Sequence, residues 1–438
     1  MEKHVVALGR YERSPDSLRE VIRLCEGFKD LKAGRHVLIK PNLVAMDDRY
    51  PMALYGVFTT TRLVEDMLIL LKEHGVENIT IAEGSVRGKD FGMETNAIYD
   101  MLGYPLLARR YGVKLVDLLK GPFEEIDFAG TLLEVSRPVL DAEFLINMPT
   151  LKTHNQAVLS LGLKNLKGAL SMKSRKFCHR TNEVLDHHLS TFVDGIRPSL
   201  SVLDGIYGLE KGPFYLGNAM RMNAIAASRD PLALDVAGAH LAGIDPESVP
   251  YINEHAARHG RGLGLDQYEL KGTPLAELRR PIKWDNTWRE DDTGPRVWDK
   301  FGIHGIFLPK YDKTVCSGCS GLYGPIIACI MLSFKGVPFD GIEVLTGKAM
   351  SPSGKARKTL LVGNCMIKKN RKSPLVAEAV LAKGCPPSVD ELFRAVKACG
   401  IYPGEESYRM FRESLVEKYK GKPEFDETLY YLREGGAA

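Results

Sequence analysis

The stretch that decides the fold is Val37-Leu38-Ile39-Lys40-Pro41, followed by the amphipathic segment 59–74 and the apolar run Ile79-Thr80-Ile81-Ala82. The two apolar runs have strand length, and the first ends at a proline, whereas the segment between them repeats apolar residues at helical spacing. Further strands predicted at 5–8 and 113–116 continue this alternation. The sequence therefore predicts an α/β fold with a mostly parallel sheet and helices on both faces.

Four cysteines lie in glycine- and proline-rich turns near the C-terminus. They occur in Cys316-Ser317-Gly318-Cys319, in Gly363-Asn364-Cys365 and in Gly384-Cys385-Pro386-Pro387. Four thiolates are the ligand count of an iron–sulfur cluster. We predict that Cys316, Cys319, Cys365 and Cys385 are the metal ligands, and we expect 4Fe-4S as the cluster type from the resemblance given below.

The segments around these cysteines predict a small βαβ unit. Strands are expected at 341–345 and 360–362, and helices at 323–334, 374–382 and 388–399. Because strand ends are where α/β sheets build sites, the four cysteines are expected to converge on one edge.

Two other uses of the thiols stay open at this point. A zinc site made of four cysteines usually has two C-x-x-C pairs, whereas this chain has one pair and two single cysteines. A thioredoxin-like dithiol would account for Cys316 and Cys319 alone.

The last cysteine segment resembles the final cluster-ligand segment of the hydrogenase small subunit and of the related complex I subunit. The resemblance covers Gly384-Cys385-Pro386-Pro387 and the residues Ser388-Val389-Asp390-Glu391-Leu392 that follow. Ser388 and Glu391 also have the spacing of a capping box for the next helix. The resemblance implies an iron–sulfur cluster of the 4Fe-4S type.

Composition narrows the function classes. The chain has 438 residues, of which 44% are hydrophobic and 26% are charged, and its net charge is +4. These values are typical of a globular protein with two or three domains, and the charge is too small to indicate a nucleic-acid partner. No apolar window has the length of a membrane span, and the N-terminal residues lack a signal-peptide pattern. We therefore expect a cytoplasmic protein without membrane or nucleic-acid partners.

A series of motifs runs through residues 36–245: Lys40-Pro41-Asn42, Lys152-Thr153-His154, Leu163-Lys164-Asn165-Leu166-Lys167-Gly168, His179, Val202-Leu203-Asp204-Gly205 and Ser228-Arg229-Asp230-Pro231-Leu232-Ala233-Leu234-Asp235. In their order and spacing these motifs resemble the domain-of-unknown-function 362 family, whose members often carry iron–sulfur cysteines. The resemblance implies no reaction.

Several polar residues stand at or near predicted strand ends, where open α/β sheets bind ligands. Lysines there bind anions, or act as bases when desolvated, and histidines suit proton transfer near neutral pH. Solvated lysines, structural histidines and histidines that ligate a second metal are the alternatives. The predicted catalytic residues are His154, His179 and Lys152, and the predicted substrate-binding residues are Lys40, Asn42, Lys164, Asn165 and Asp204.

Four segments are predicted along the chain. Residues 1–260 form the α/β domain, 261–310 a connector, 311–402 the cluster domain and 403–438 a helical tail that packs on the cluster domain. The connector holds Trp284, Trp288 and Trp298. Tryptophans gathered in a linker usually anchor it by burying a large area, and a lid over the site is the alternative.

The pattern favours an iron–sulfur oxidoreductase that acts on an anionic small molecule held in the N-terminal crevice. A ferredoxin-like electron donor and a homodimer are the further partners that this interpretation admits. One alternative is a racemase- or isomerase-like enzyme, or one with a metal cofactor, in which the cluster is structural. The N-terminal architecture is distantly similar to the lactate racemase fold. An electron carrier or binding protein without a substrate is the other alternative.

Overall fold

The computed structural model describes residues 3–46, 49–86, 92–212 and 214–433. The last five residues of the predicted tail, 434–438, therefore lie outside the described residues. The strands are β1 (His4–Arg10), β2 (Val37–Lys40), β3 (Ile79–Glu83), β4 (Lys114–Asp117), β5 (Phe123–Phe128), β6 (Thr131–Ser136), β7 (Phe144–Asn147), β8 (Thr150–His154), β9 (Val158–Ser160), β10 (Leu200–Glu210), β11 (Asn218–Ser228), β12 (Tyr268–Gly272), β13 (Ile306–Phe307), β14 (Ile342–Thr346), β15 (Lys358–Val362) and β16 (Ala379–Ala382).

The α-helices are α1 (Pro15–Leu24), α2 (Thr61–Glu73), α3 (Thr95–Met101), α4 (Tyr104–Tyr111), α5 (Arg137–Leu140), α6 (Gly162–Asn165), α7 (Met172–Phe177), α8 (Val184–Gly195), α9 (Pro231–Leu241), α10 (Pro250–Arg258), α11 (Leu275–Leu278), α12 (Ser317–Ser320), α13 (Tyr323–Ser333), α14 (Asn364–Asn370), α15 (Val389–Ala398) and α16 (Glu405–Glu417). Short 3-10 helices cover Leu118–Lys120, Leu166–Ala169, Pro246–Ser248, Leu265–Gln267, Arg296–Phe301 and Glu427–Tyr430. Within the described residues, no helix combines the length and the apolar character needed to cross a bilayer.

The large sheet has the strand order β12-β1-β11-β10-β7-β2-β3-β4, with β8 and β9 added beside β10. The strands from β10 through β7, β2 and β3 to β4 are parallel, whereas β11 runs antiparallel to both of its neighbours. Alternate residues of β2 enter different cores: Val37 and Ile39 pack with α1 and α2, and Leu38 packs with α8 and α9. The predicted α/β fold, with helices on both faces of a mostly parallel sheet, is confirmed.

The small sheet consists of β13, β14, β15 and β16 in that order, and all its strands are parallel. Its core includes residues from α13 and α15. The helix predicted at 374–382 is wrong, because Ala379–Ala382 is the strand β16 and pairs with β15. Hydrogen bonds to the exposed edge of β15 outweigh the helical preference of the alanines and leucine in this segment.

The tryptophan-bearing connector packs against the small sheet. Trp298 is fully buried in the core of the small sheet, and Trp288 packs at its margin, where its indole N–H donates to the carbonyl of Leu308 at 2.9 Å. Trp284 is 38% exposed and lies under the ammonium group of Lys310. Two of the three tryptophans thus anchor the connector through buried area.

The C-terminal tail packs on both sheets, and the prediction that it packs on the cluster domain alone was incomplete. Tyr408 of α16 lies in the core of the small sheet, whereas Tyr419 and Tyr430 lie in the core of the large sheet. Tyr430 contacts the rings of Tyr55 and Tyr207, and its hydroxyl accepts a hydrogen bond from the Gly56 amide. Aromatic residues in the tail therefore tie the two sheets together.

We expect Tyr430→Ala to lower the free energy of unfolding by about 3–5 kcal/mol, because it empties a fully buried aromatic site. Tyr430→Phe keeps the ring and removes only the hydroxyl, so it should cost about 1 kcal/mol. Denaturant unfolding of both variants measures the difference. Equal unfolding midpoints for wild type and Tyr430→Ala would show that the tail is peripheral.

Candidate functional site

A cavity of about 180 Å³ lies between the large sheet and the cysteine-bearing segment. From the large-sheet side it is lined by residues that follow β2, end β3 and β8, or belong to α6 and the 3-10 helix after it. On the other side stand α12, the start of α13 and the connector. Its polar lining includes Asn42, Glu83, Lys152, His154, Lys164, Asn165, Lys167, Arg175, His179, Ser317 and Ser320.

Four lysines line this cavity, namely Lys152, Lys164, Lys167 and Lys211. Burial lowers the pKa of Lys152 to about 7 and that of Lys167 to about 8, and it lowers the pKa of Lys164 well below its usual value. Neighbouring cations contribute to the shift in each case. Glu83 is the one carboxylate among the lining residues, and it is already paired. An anion bound here would supply the missing negative charge.

Glu83 forms a buried ion pair with Lys40. Lys40 is 0% exposed, and it does not line the cavity. The pair passes directly beneath Gly168, where an added Cβ would lie 2.5 Å from the Lys40 Nζ and 2.6 Å from a Glu83 oxygen. Only glycine fits at this close approach, so the ion pair joins the ends of β2 and β3 to the segment that carries the cavity lysines.

A chain of side-chain amides positions Lys152. The Lys152 ammonium donates to the Asn42 side-chain oxygen and to the Val57 carbonyl. Asn42 donates to Asn165 at 2.9 Å, and Asn165 donates to Asn147 at 2.8 Å. The predicted residues Asn42 and Asn165 therefore line the cavity and also fix the position of a lysine.

Arg175 also lines the cavity, but its guanidinium is occupied by the backbone. It donates to the carbonyls of Gly84, Gly168 and Leu170. Arg175 therefore shapes this part of the wall and adds positive charge, which helps to depress the pKa of Lys167.

His154 and His179 are both neutral in this environment. Burial, and then the nearby lysines, lower the pKa of each well below its usual value. The Nδ1 of His154 accepts from the Gln156 amide at 3.2 Å, which places the proton on the other ring nitrogen, and no hydrogen bond to that nitrogen occurs among the described residues. His179 donates from Nδ1 to the Lys313 carbonyl at 2.7 Å and accepts from Lys167 through Nε2. His154 thus retains an N–H for a ligand, and His179 can exchange a proton with Lys167.

The opposite wall of the cavity is aromatic. Trp288, Tyr311 and Tyr323 meet edge to face, with ring centroids 5.6 Å apart for the first pair and 5.5 Å apart for Tyr311 and Tyr323. Their polar atoms bond within the protein, to Leu308, Asp285 and Pro309 respectively. These three rings therefore present mainly hydrocarbon to a bound molecule.

The four predicted cysteine ligands lie along the carboxyl edge of the small sheet. Cys316 immediately precedes α12 and Cys319 lies within it, Cys365 is in the first turn of α14 after β15, and Cys385 follows β16. Thr346, at the end of β14, hydrogen-bonds Cys319. Parallel strands bring these segments to one edge.

Close backbone contacts hold the cysteine segments together. A Cβ at Gly363 would stand 3.2 Å from the Cys319 sulfur, and the Asn364 amide donates to the Gly384 carbonyl at 2.9 Å. The Cys319 thiol donates a hydrogen bond to the Cys316 sulfur, which lowers the pKa of Cys316 and raises that of Cys319.

The cysteine sulfurs are not spaced as the ligands of a single zinc ion would be. Four sulfurs at about 2.3 Å from one zinc would lie about 3.8 Å from one another. Among the described residues, no three cysteine sulfurs lie within 4.8 Å of one another. A cluster holds its thiolates farther apart, because several irons stand between them.

Asp204, a predicted substrate-binding residue, lies outside the cavity lining. Its carboxylate accepts from the amide and hydroxyl of Thr60, at 2.6 and 2.9 Å, and from the amide of Ile206 at 3.0 Å. It therefore holds the start of α2. The predicted residues Lys40 and Asp204 lie outside the cavity lining. The other predicted residues lie together in it: Asn42, Lys152, His154, Lys164, Asn165 and His179.

Sequence reasoning missed Lys167 and the aromatic wall as parts of the site. Lys167 lies three residues after Lys164 in the quoted motif. Because residues three apart in a helix lie on the same face, this spacing could have indicated that both lysines face the cavity. The aromatic wall comes from the connector and from α13, which are remote in sequence from the lysines, so no local pattern indicated it.

The depressed pKa of Lys152 predicts how stability depends on pH. Between about pH 7 and 10.5 the unfolded chain carries a proton on this lysine and the folded chain does not, so the free energy of unfolding rises with pH. We expect Lys152→Met to remove about 1.4 kcal/mol per pH unit of that rise between about pH 8 and 10. Denaturant unfolding across this range measures the slope, with the exposed Lys120→Met as control. If the free energy of unfolding rises equally with pH in wild type and in Lys152→Met, then Lys152 stays charged in the folded protein.

Comparisons with known proteins locate the chain among its relatives. The family described as Domain of unknown function (DUF362) matches residues 37–240. The thylakoid-associated protein sll1697 of Synechocystis sp. is 28% identical over 275 residues, which cover 61% of this chain and 80% of that protein.

Two solved structures show partial likeness. The lactate racemase apoprotein of Thermoanaerobacterium thermosaccharolyticum has 14% identity and a TM-score of 0.36 over 55% of this chain, and a protein of Thermotoga maritima has 12% identity and a TM-score of 0.30 over 50%. This chain spans 58% and 56% of their respective lengths. The family match, rather than these likenesses, indicates the relationship, and it covers residues 37–240 of this chain.

Proposed function

We propose that the protein is an iron–sulfur oxidoreductase whose cavity holds an organic acid with an apolar or aromatic body. One observation carries the proposal: α12, the helix that follows Cys316 and contains Cys319, forms part of the wall of the lysine-lined cavity through Ser317 and Ser320. A group held by these thiols would stand beside a molecule in the cavity. When bound, an iron–sulfur cluster supplies or accepts single electrons.

The class of ligand follows from the two ends of the cavity. Lys152, Lys164 and Lys167 would bind a carboxylate, and the binding would stabilise their protonated forms. Trp288 and Tyr323 would pack against the hydrocarbon part of the molecule. The cavity thus suits a small acid with a distinct charged head and apolar body.

The chain's own residues would also handle protons. Lys167 donates a hydrogen bond to the neutral His179, whose other nitrogen is anchored on the Lys313 carbonyl. A proton can therefore pass between Lys167 and His179 without movement of the imidazole. His154 would donate its free N–H to the ligand. These roles match the general acid–base use of groups with shifted pKa values.

A non-redox isomerase is the second candidate. Two neutral histidines and a lysine with a pKa of about 7 also suit proton abstraction from a carbon next to a carboxylate. In that case the cysteines would be structural, and turnover would persist after their replacement.

We expect the anaerobically purified protein to contain about four iron and four sulfide per chain and to bleach with dithionite. Cys385→Ser should lose most of the iron and the visible absorption, because a thiolate ligand is removed. Cys399→Ser, at a buried cysteine away from the turns, is the matched control and should keep both. Full iron in Cys385→Ser, or about one zinc and no sulfide in the wild type, would refute the cluster.

The ligand class has a separate test in calorimetric titrations with 3-phenylpropanoate, its uncharged amide and propanoate. We expect the phenyl acid to bind at least about tenfold more tightly than either of the others, since only it can use both ends of the cavity. Lys152→Met should abolish the preference for the acid over the amide, and Lys120→Met should leave it unchanged. Equal binding of acid and amide by the wild type would contradict an anion site.

A further inference from the structure

The four cysteines face two different surroundings. Cys316 and Cys319 are half-buried, the first just before the helix that lines the cavity and the second within that helix, whereas Cys365 and Cys385 are exposed. A group held by all four would therefore have one side near the cavity and the other near the outer surface.

Basic residues are concentrated on that outer side. Residues 364–387 contain five lysines and arginines and one acidic residue, so this segment alone carries a net charge of +4. The segment beside the exposed cysteines is therefore locally basic.

The geometry of α14 places this charge next to Cys365. Lys368 and Lys369 follow Cys365 by three and four residues in one helix, so they share its side of the helix. Lys368 and Lys372 are exposed, and no ion pair to either occurs within the described ranges of the chain. Lys369 is tied by its ammonium to the backbone of Ala349 and Met350.

The carboxylates nearby in sequence leave most of this charge unneutralised. Asp390 pairs with Arg49 and Glu378 pairs with Lys358, whereas Glu391 pairs with Arg394 and also accepts from the backbone amide of Lys383. The surface formed by Cys365, Lys368, Arg371, Lys372, Lys383 and Cys385, here called the basic face, therefore keeps a net positive charge.

We propose that the basic face is the docking surface for an acidic one-electron carrier protein. The inference rests on the proposed function, because it requires a redox group between these cysteines. The reduced carrier would lose one electron, and the group held by the cysteines would gain it. The exposed thiols at the middle of the charge favour such a carrier over nucleic acid, which uses longer basic tracks and stacking aromatics.

A chemically reduced, acidic 2Fe-2S ferredoxin is the probe. Stopped-flow absorption gives the second-order rate of electron transfer, and calorimetry with the oxidised ferredoxin gives the dissociation constant. At about 10 mM ionic strength, we expect Lys368→Glu with Lys372→Glu to lower the rate at least about tenfold and to weaken binding, because electrostatic steering is lost. At about 0.5 M the difference should nearly vanish.

Lys300→Glu with Lys335→Glu is the matched control. Both lysines are exposed and lie near the amino ends of the small-sheet strands, away from the cysteine edge. This control has the same net charge as the test variant and should stay within about twofold of wild type, since steering depends on where the charge lies. Lys368→Gln with Lys372→Gln should give an intermediate rate.

Reduction by dithionite separates the two proposals. If dithionite bleaches no absorption in wild type, the proposed function fails, and the docking proposal, which requires a redox group at the cysteines, fails with it. If dithionite bleaches wild type and the charge-reversed variant alike, an unchanged ferredoxin rate and an unchanged dissociation constant in the variant overturn the docking proposal. The docking proposal is also overturned, in favour of a membrane surface, if the charge-reversed variant loses binding to anionic phospholipid vesicles while its ferredoxin rate is unchanged.

Discussion

The buried ion pair between Lys40 and Glu83 is the contact on which the site depends. It joins the ends of two parallel strands and packs directly under Gly168, in the segment that presents Lys164 and Lys167. A buried pair of this kind needs close geometry to offset the loss of hydration of both charges. Because Glu83 is engaged there, the cavity lysines are left without a carboxylate of their own. The contact that builds the site therefore also leaves its lysines available for an anion, as the proposed function requires.

The same arrangement places the cavity beside the cysteines. The large sheet supplies the charged end, the connector and α13 supply the aromatic wall, and α12 closes the gap between them. The tail then packs into both cores through Tyr408 and Tyr430. These contacts fix the position of the cysteine edge relative to the cavity, and a reaction that joins the two would require that fixed position.

The sequence predicted what local patterns determine. Strands such as Val37–Lys40 and helices such as Thr61–Glu73 follow from apolar spacing and from the residues that end them. Ala379–Ala382 was mistaken for a helix because its residues favour helix and only pairing with β15 makes it a strand. Asp204 could not be assigned either, since a carboxylate at a strand end can bind a ligand or cap a neighbouring helix, and tertiary contacts alone decide which.

The lysines of the cavity link the stability of the free protein to its affinity for an anion. Each cavity lysine that loses its proton in the folded state lowers stability at neutral pH, because the unfolded chain keeps that proton. A bound carboxylate restores the protonated forms, so binding takes up protons and stabilises the fold at the same time. Affinity for the anion should therefore fall as pH rises through the range of 7 to 8 in which Lys152 and Lys167 titrate.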